Sequence, residues 1–269
     1  MCNPTNSIEI AREANKFPFA HKFHNIETRE LTEISDKDWK EIKDLTEDLR
    51  YLFLTGGEPL LMKQYYELMD KLIDNGKAED VALHIYTNCS VYNPKFVEKI
   101  KKFKNVKLNF SIDAVGKVAE YQRKGTDWET VKSNVHKLAE LDNVHPIIHS
   151  TITAYAILDI DSLIDFYIEM KEKYVKMRFQ MHLANNPLGM GPSCLDERLR
   201  KIAIEKIEKS LPKLNDDKKY GRVKKELISI RNNLQYSPLK HYEVFVRLTK
   251  NYDVMRDEKF SDIYGYDLT

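Results

Sequence analysis

The sequence is short of cysteine, of long apolar runs and of charge of one sign, and each shortage narrows what the chain can be. Three cysteines, Cys2, Cys89 and Cys194, are scattered through 269 residues. An odd, widely spaced set with no C-x-x-C pair argues against a disulfide framework. No apolar stretch reaches transmembrane length, and "MCNPTNSIEI" lacks both the basic start and the apolar core of a secretory signal. A cytoplasmic protein with no membrane partner is expected. The 43 basic and 42 acidic side chains leave a net charge of +1, which removes general nucleic-acid binding from the expected roles. Basic runs such as "KIKKFK" read as solvated helix faces.

What is present is an alternation. Short β-rich runs, "YLFLT" (51–55), "ALHIYT" (82–87), "VKLNFSI" (106–112), "PIIHSTITA" (146–154) and "KMRFQMHL" (176–183), are each followed by an amphipathic, charge-decorated segment. That order implies βα units around a parallel sheet. Helix starts are marked by Ser35 before "DKDWKEIKDLTEDL", by Asn93 before Pro94, and by a capping box of Thr126 with Glu129; Asn75-Gly76 marks a helix end. Beyond about Leu195 only helical patterns remain, so residues 1–190 read as an α/β unit and 191–269 as a C-terminal helical extension. "NDDKKYG" (215–221) reads as a flexible connection.

Only nine glycines occur, yet two are adjacent in "TGGEPLL" (55–61), directly behind the strand "YLFL". Ligands of parallel α/β folds bind where strand C-termini open into loops. Gly56 and Gly57 permit conformations other residues avoid, Glu58 places a carboxylate at the strand tip where it could hold an ammonium group, and Pro59 ends the strand. Without the Thr, Glu and Pro, a glycine pair would be an ordinary turn. Ser111 and Asp113 are two apart and share a face, and the simpler reading of Ser111 is a small polar residue bonded to backbone.

Together these segments resemble the radical S-adenosylmethionine (SAM) superfamily. "LFLTGGEPLL" is similar to its second-strand signature, "IYTNCS" to the third-strand segment, and "NFSIDAVG" to the fourth strand. "EYQRKGTDWETVKSNV" resembles a helix entry of the SPASM/twitch-type branch, "MCNPTNS" the end of its cluster loop, and "VMRDEKFSDIYG" its C-terminal end.

The resemblance implies a partial (β/α)6 barrel, with Gly56, Gly57 and Glu58 on the amino group of SAM and Asn88 close by. Ser111 would lie near the carboxylate or ribose, Asp113 on the same face, and Arg123 on the SAM carboxylate, where a surface-helix arginine is the plain alternative. It implies a 4Fe-4S cluster held by a C-x3-C-x2-C motif, reductive cleavage of SAM to a 5'-deoxyadenosyl radical, a flavodoxin- or ferredoxin-type reductant, and a substrate that is unidentified, with peptides one class. Cys2 matches the third cluster cysteine. The first two, with most of the first strand, would lie upstream of Met1, so the chain reads as truncated within the motif. One thiolate does not replace three. The alternative is a non-catalytic SAM- or peptide-binding relative that has lost the cluster. Cys89 stands where the family has glycine, so a positive φ there would strain it. Cys194 alone implies no auxiliary cluster. His145, His149 and His182 lie on or near strands and read as satisfied core or rim residues.

Overall fold

The computed structural model of the protein describes residues 34–268. Five strands form one all-parallel sheet in sequence order: β1 (Tyr51–Leu54), β2 (Ala82–Thr87), β3 (Asn105–Ser111), β4 (Val144–Ile152) and β5 (Arg178–Leu183). Helices make every crossover. α1 (Asp36–Asp44) precedes the sheet, followed by α2 (Lys63–Asp74), α3 (Pro94–Ile100), α4 (Gly116–Gln122), α5 (Trp128–Ala139), α6 (Ala154–Ile157) and α7 (Ile160–Lys173). After β5 come α8 (Glu197–Ser210), α9 (Asp217–Tyr236), α10 (Tyr242–Arg256) and α11 (Phe260–Tyr264). The α/β class and the parallel sheet expected from the alternation are present.

Strand alternation gives the sheet two unlike faces. Leu83, Ile85, Val106, Leu108, Phe110, Val144 and Ile148 point to one, where they are buried against the helices. The other carries Tyr51 and Phe53, His84 and Tyr86, Lys107, Asn109 and Ser111, His145, Ile147, His149 and Thr151, and Arg178, Gln180 and His182. We call it the polar face.

Local signals explain most helix starts. Ser35 caps α1 by accepting from the Asp38 amide, and Asn93 caps α3 by accepting from Lys95, with Pro94 at the first position. α2 ends at Asn75, and Gly76 follows at φ 68°. The expected capping box of Thr126 and Glu129 does not form. Asp127, one residue nearer the helix, accepts from the Glu129 and Thr130 amides and is the cap of α5. "NDDKKYG" is not a connection either: Asp216 accepts from Lys218 and Lys219, and Asp217 through Gly221 become the first turns of the 20-residue α9. The carboxylate cap outweighs the helix cost of one glycine, about 1 kcal/mol.

Candidate functional site

The loops after β1, β2, β3 and β4 meet at the C-terminal end of the sheet. Gly56 and Gly57 have φ of 84° and 36°. A Cβ on either would meet nothing within 4 Å, so backbone conformation rather than crowding requires glycine, and open space lies beside both. Glu58 then turns back into the protein. Its Oε1 accepts from the Leu60 amide at 3.3 Å and from Thr87 Oγ1 at 2.7 Å, and its Oε2 accepts from the Asn88 amide at 3.0 Å. The carboxylate therefore ties the β1 loop to the β2 loop. Burial raises its pKa from 4.5, against the pull of these three donors. A carboxylate offers about four lone-pair positions. Oε1 uses two and Oε2 one, so among the described residues one acceptor position on Oε2 is left.

The β2 loop is fastened from below. Thr87 Oγ1 also accepts from the Cys89 amide at 3.0 Å, the Cys89 carbonyl accepts from Asn134 Nδ2 of α5 at 2.9 Å, and the Asn88 side chain accepts from Ser90 at 2.8 Å. Cys89 sits at φ 58°, the left-handed conformation in which a side chain is strained, and its thiol is fully buried. Burial pushes that thiol well up, and pushes Cys194, whose Sγ lies 3.1 Å from the Gly189 carbonyl, up to about 12. Both are packed neutral thiols.

Asp113 and Arg123 form a pair across the ends of β3 and α4. Asp113 Oδ2 accepts from Arg123 Nε at 3.1 Å and Nη2 at 2.6 Å, and its Oδ1 accepts from the Thr151 amide at the end of β4 at 2.8 Å. The aspartate is 9% exposed and fully engaged, so it holds three segments together. Ser111 lies on the polar face opposite His149, and its hydroxyl makes no hydrogen bond among the described residues. The backbone-bonded alternative for that serine is not what the structure has.

Beside these lie Tyr86, which the sequence reading left out, and His149 and His182, which it read as satisfied core or rim residues. The Tyr86 ring meets the His149 imidazole edge-on at 5.6 Å, and His149 lies 4.8 Å from the His182 ring. Burial lowers the His149 pKa, His182 adds to that, and Asp113 opposes it. Thr87, Asn134 and Thr151 are load points of the loops. Only strand alternation, which aims Tyr86, His149 and Thr151 to one face, could have flagged any of them.

No group of three histidine, cysteine or carboxylate side chains that could hold a metal occurs among the described residues. The described residues therefore do not fit a cluster needing three thiolates. Cys2, the expected cluster ligand, lies outside the described residues. No described helix is long and apolar enough to cross a membrane.

The sequence profile of the Radical SAM superfamily matches residues 24–167. Two proteins called GTP 3',8-cyclase are similar: that of Syntrophomonas wolfei is 31% identical over 122 residues, 45% of this chain and 36% of that protein. That of Desulforamulus reducens is 27% identical over 150 residues, 54% of this chain and 44% of that protein. The matches thus span less than half the length of these relatives. Among solved structures, native anSMEcpe with bound AdoMet superposes with a TM-score of 0.51 at 16% identity, covering 72% of this chain and 55% of that one, which is a likeness of fold. With its profile match covering more than half of the sequence and its five-stranded parallel sheet, the chain belongs to the radical SAM superfamily.

Proposed function

We propose that the chain is the SAM-binding portion of a radical SAM enzyme of the SPASM/twitch type, with the SAM amino group on Glu58. The observation that carries this reading is the acceptor position left unfilled among the described residues on a half-buried, otherwise satisfied carboxylate, set beside two glycines that leave open space. An ammonium is the natural occupant, because a charge-assisted hydrogen bond is about twice as strong as a neutral one. Gly56, Gly57 and the Asn88 backbone line that position, Ser111 offers a free hydroxyl from β3, and Arg123, steadied by Asp113, carries positive charge toward a carboxylate.

In this reading the cluster thiolates are Cys2 and two cysteines from residues upstream of Met1, the reductant is a flavodoxin or ferredoxin, and the unit of residues 1–190 is followed by a helical extension. The test is to express the chain with the in-frame codons that precede Met1 and reconstitute it anaerobically. About four irons per chain, with SAM-dependent 5'-deoxyadenosine, are expected. An in-frame stop, or an extended chain that takes up no iron, would overturn the catalytic reading. It would leave the cluster-free SAM-binding relative as the alternative.

A further inference from the structure

The polar face carries opposite charges at its two ends. Acids, Glu58 and Asp113, stand at the C-terminal ends of the strands. Toward the N-terminal ends the register sets Phe53, His84, Lys107 and His145 side by side across β1 to β4. The next row on the same face is Tyr86, Asn109, Ile147 and Arg178. Lys107 and His145 are direct cross-strand partners, and Arg178 lies one row on and one strand over from His145.

No carboxylate among the described residues answers these cations. Among the described residues Lys107, His145 and Arg178 take part in no ion pair, although many lysines and arginines of the helices do. The charges that face His145 are Lys176, Arg178 and Lys107, all of one sign, and after burial they hold its pKa below the usual histidine value. His84 faces Lys107 and, edge-on, the rings of Tyr51 and Phe53 at 6.4 and 4.6 Å, and its Nε2 is buried without a hydrogen-bond partner. Like charges opposite one another in a sheet are destabilising. A group of like charges kept unpaired among the described residues, on the face opposite the one packed against the helices, is a site waiting for an anion.

We propose that Lys107, His145 and Arg178 bind the anionic end of the substrate, a multiply charged oxyanion such as a diphosphate or a dicarboxylate. One row and two strands separate the Cα atoms of Lys107 and Arg178 by about 12 Å. Two long cationic side chains on one face at that separation suit a group with two charged centres better than a single small ion. The rest of the molecule extends along the polar face, past Tyr86, His149 and His182, toward the SAM loops. This deepens the functional reading above and rests on it for that direction, while the anion site itself does not depend on SAM or a cluster.

The test is calorimetry on the whole 269-residue chain with inorganic pyrophosphate and, separately, succinate. Saturable pyrophosphate binding is expected, weakened at least about tenfold by Lys107→Met and by Arg178→Met, restored by Lys107→Arg, and unchanged by Lys117→Met on α4, with circular dichroism showing each variant folded. Because burial and its cationic neighbours lower the His145 pKa, binding should tighten as pH falls below about 6.5 and that histidine takes a proton, and His145→Gln should lessen the dependence. Tighter pyrophosphate than succinate identifies a phosphate-bearing substrate, and the reverse a carboxylate-bearing one; either supports the site. Absence of binding to both probes, or equal weakening by Lys107→Met and Lys117→Met, would overturn it. A SAM titration on the same samples keeps the two readings apart, since loss of SAM binding with pyrophosphate binding intact counts only against the functional reading.

Discussion

Half-buried Glu58 ties two loops together and buried Arg200 ties three segments, and the two differ in one respect that separates a site from a scaffold. Arg200 of α8, 5% exposed, donates all five of its N–H groups to backbone carbonyls: Nε to Leu195 at 2.8 Å, Nη1 to Leu234 and Ser237 at 3.1 and 2.5 Å, and Nη2 to Ser193 and Pro238 at 2.5 and 3.1 Å. Its coordination is complete, so nothing can be added to it. Glu58 has three donors on four positions. The lesson is that a buried charge with every partner supplied by its own chain stabilises, whereas one left a single partner short is available to a ligand.

The largest expected effect breaks the complete member of the pair. Arg200→Met leaves five carbonyls without donors and should lower stability by about 3–5 kcal/mol in urea titration. Arg200→Lys should recover little, because an ammonium has three donors and no fork. A loss within experimental error would mean that the helical region does not depend on this knot.

Next is Glu58→Gln. The amide keeps the shape but turns one oxygen into a donor that faces the Asn88 amide or the ligand, so SAM affinity should fall at least about tenfold. pH sharpens the comparison. The folded-state pKa of Glu58 is raised, so the folded chain holds its proton more tightly than the unfolded chain. Stability from this group is therefore lost as pH rises from about 4.5 through the raised value. SAM binding, which in the proposed reading uses the carboxylate, should rise through the same window. In Glu58→Gln both trends should be gone, and a variant that keeps the wild-type fall in stability would assign the trend to another group.

Thr87→Val is smaller. It removes the hydroxyl that joins Glu58 Oε1 to the Cys89 amide while keeping volume, and should cost about 1–1.5 kcal/mol by urea denaturation. Cys89→Gly should be the smallest. Release of the left-handed strain, about 1–2 kcal/mol, opposes the loss of a buried thiol side chain of similar worth. A net change beyond about 1 kcal/mol in either direction would show that one term dominates.

Much of this was legible from sequence, and the limits have physical causes. The five strands were readable within about two residues because apolar β-branched runs and breakers are local signals. The caps of Ser35 and Asn93 were readable for the same reason, while Thr126 lost to its neighbour Asp127 because two good caps stood side by side. The glycine pair, Glu58 and the expected strain at Cys89 could be named from "TGGEPLL" and "TNCS". Thr87 under Glu58, Asp113 under Arg123 and the five carbonyls around Arg200 could not, since each contact joins segments set side by side only by the fold. The row of Lys107 and His145 likewise exists only through the register of β3 and β4.

The most direct test of the central claim, that the incomplete coordination of Glu58 is a ligand position, is SAM binding by calorimetry to the folded wild-type chain and to Glu58→Gln at a pH above the glutamate's raised pKa. Saturable binding by the wild type, weakened at least about tenfold in the variant, is the result expected. Equal affinity in the two proteins, or no binding by either, would contradict it.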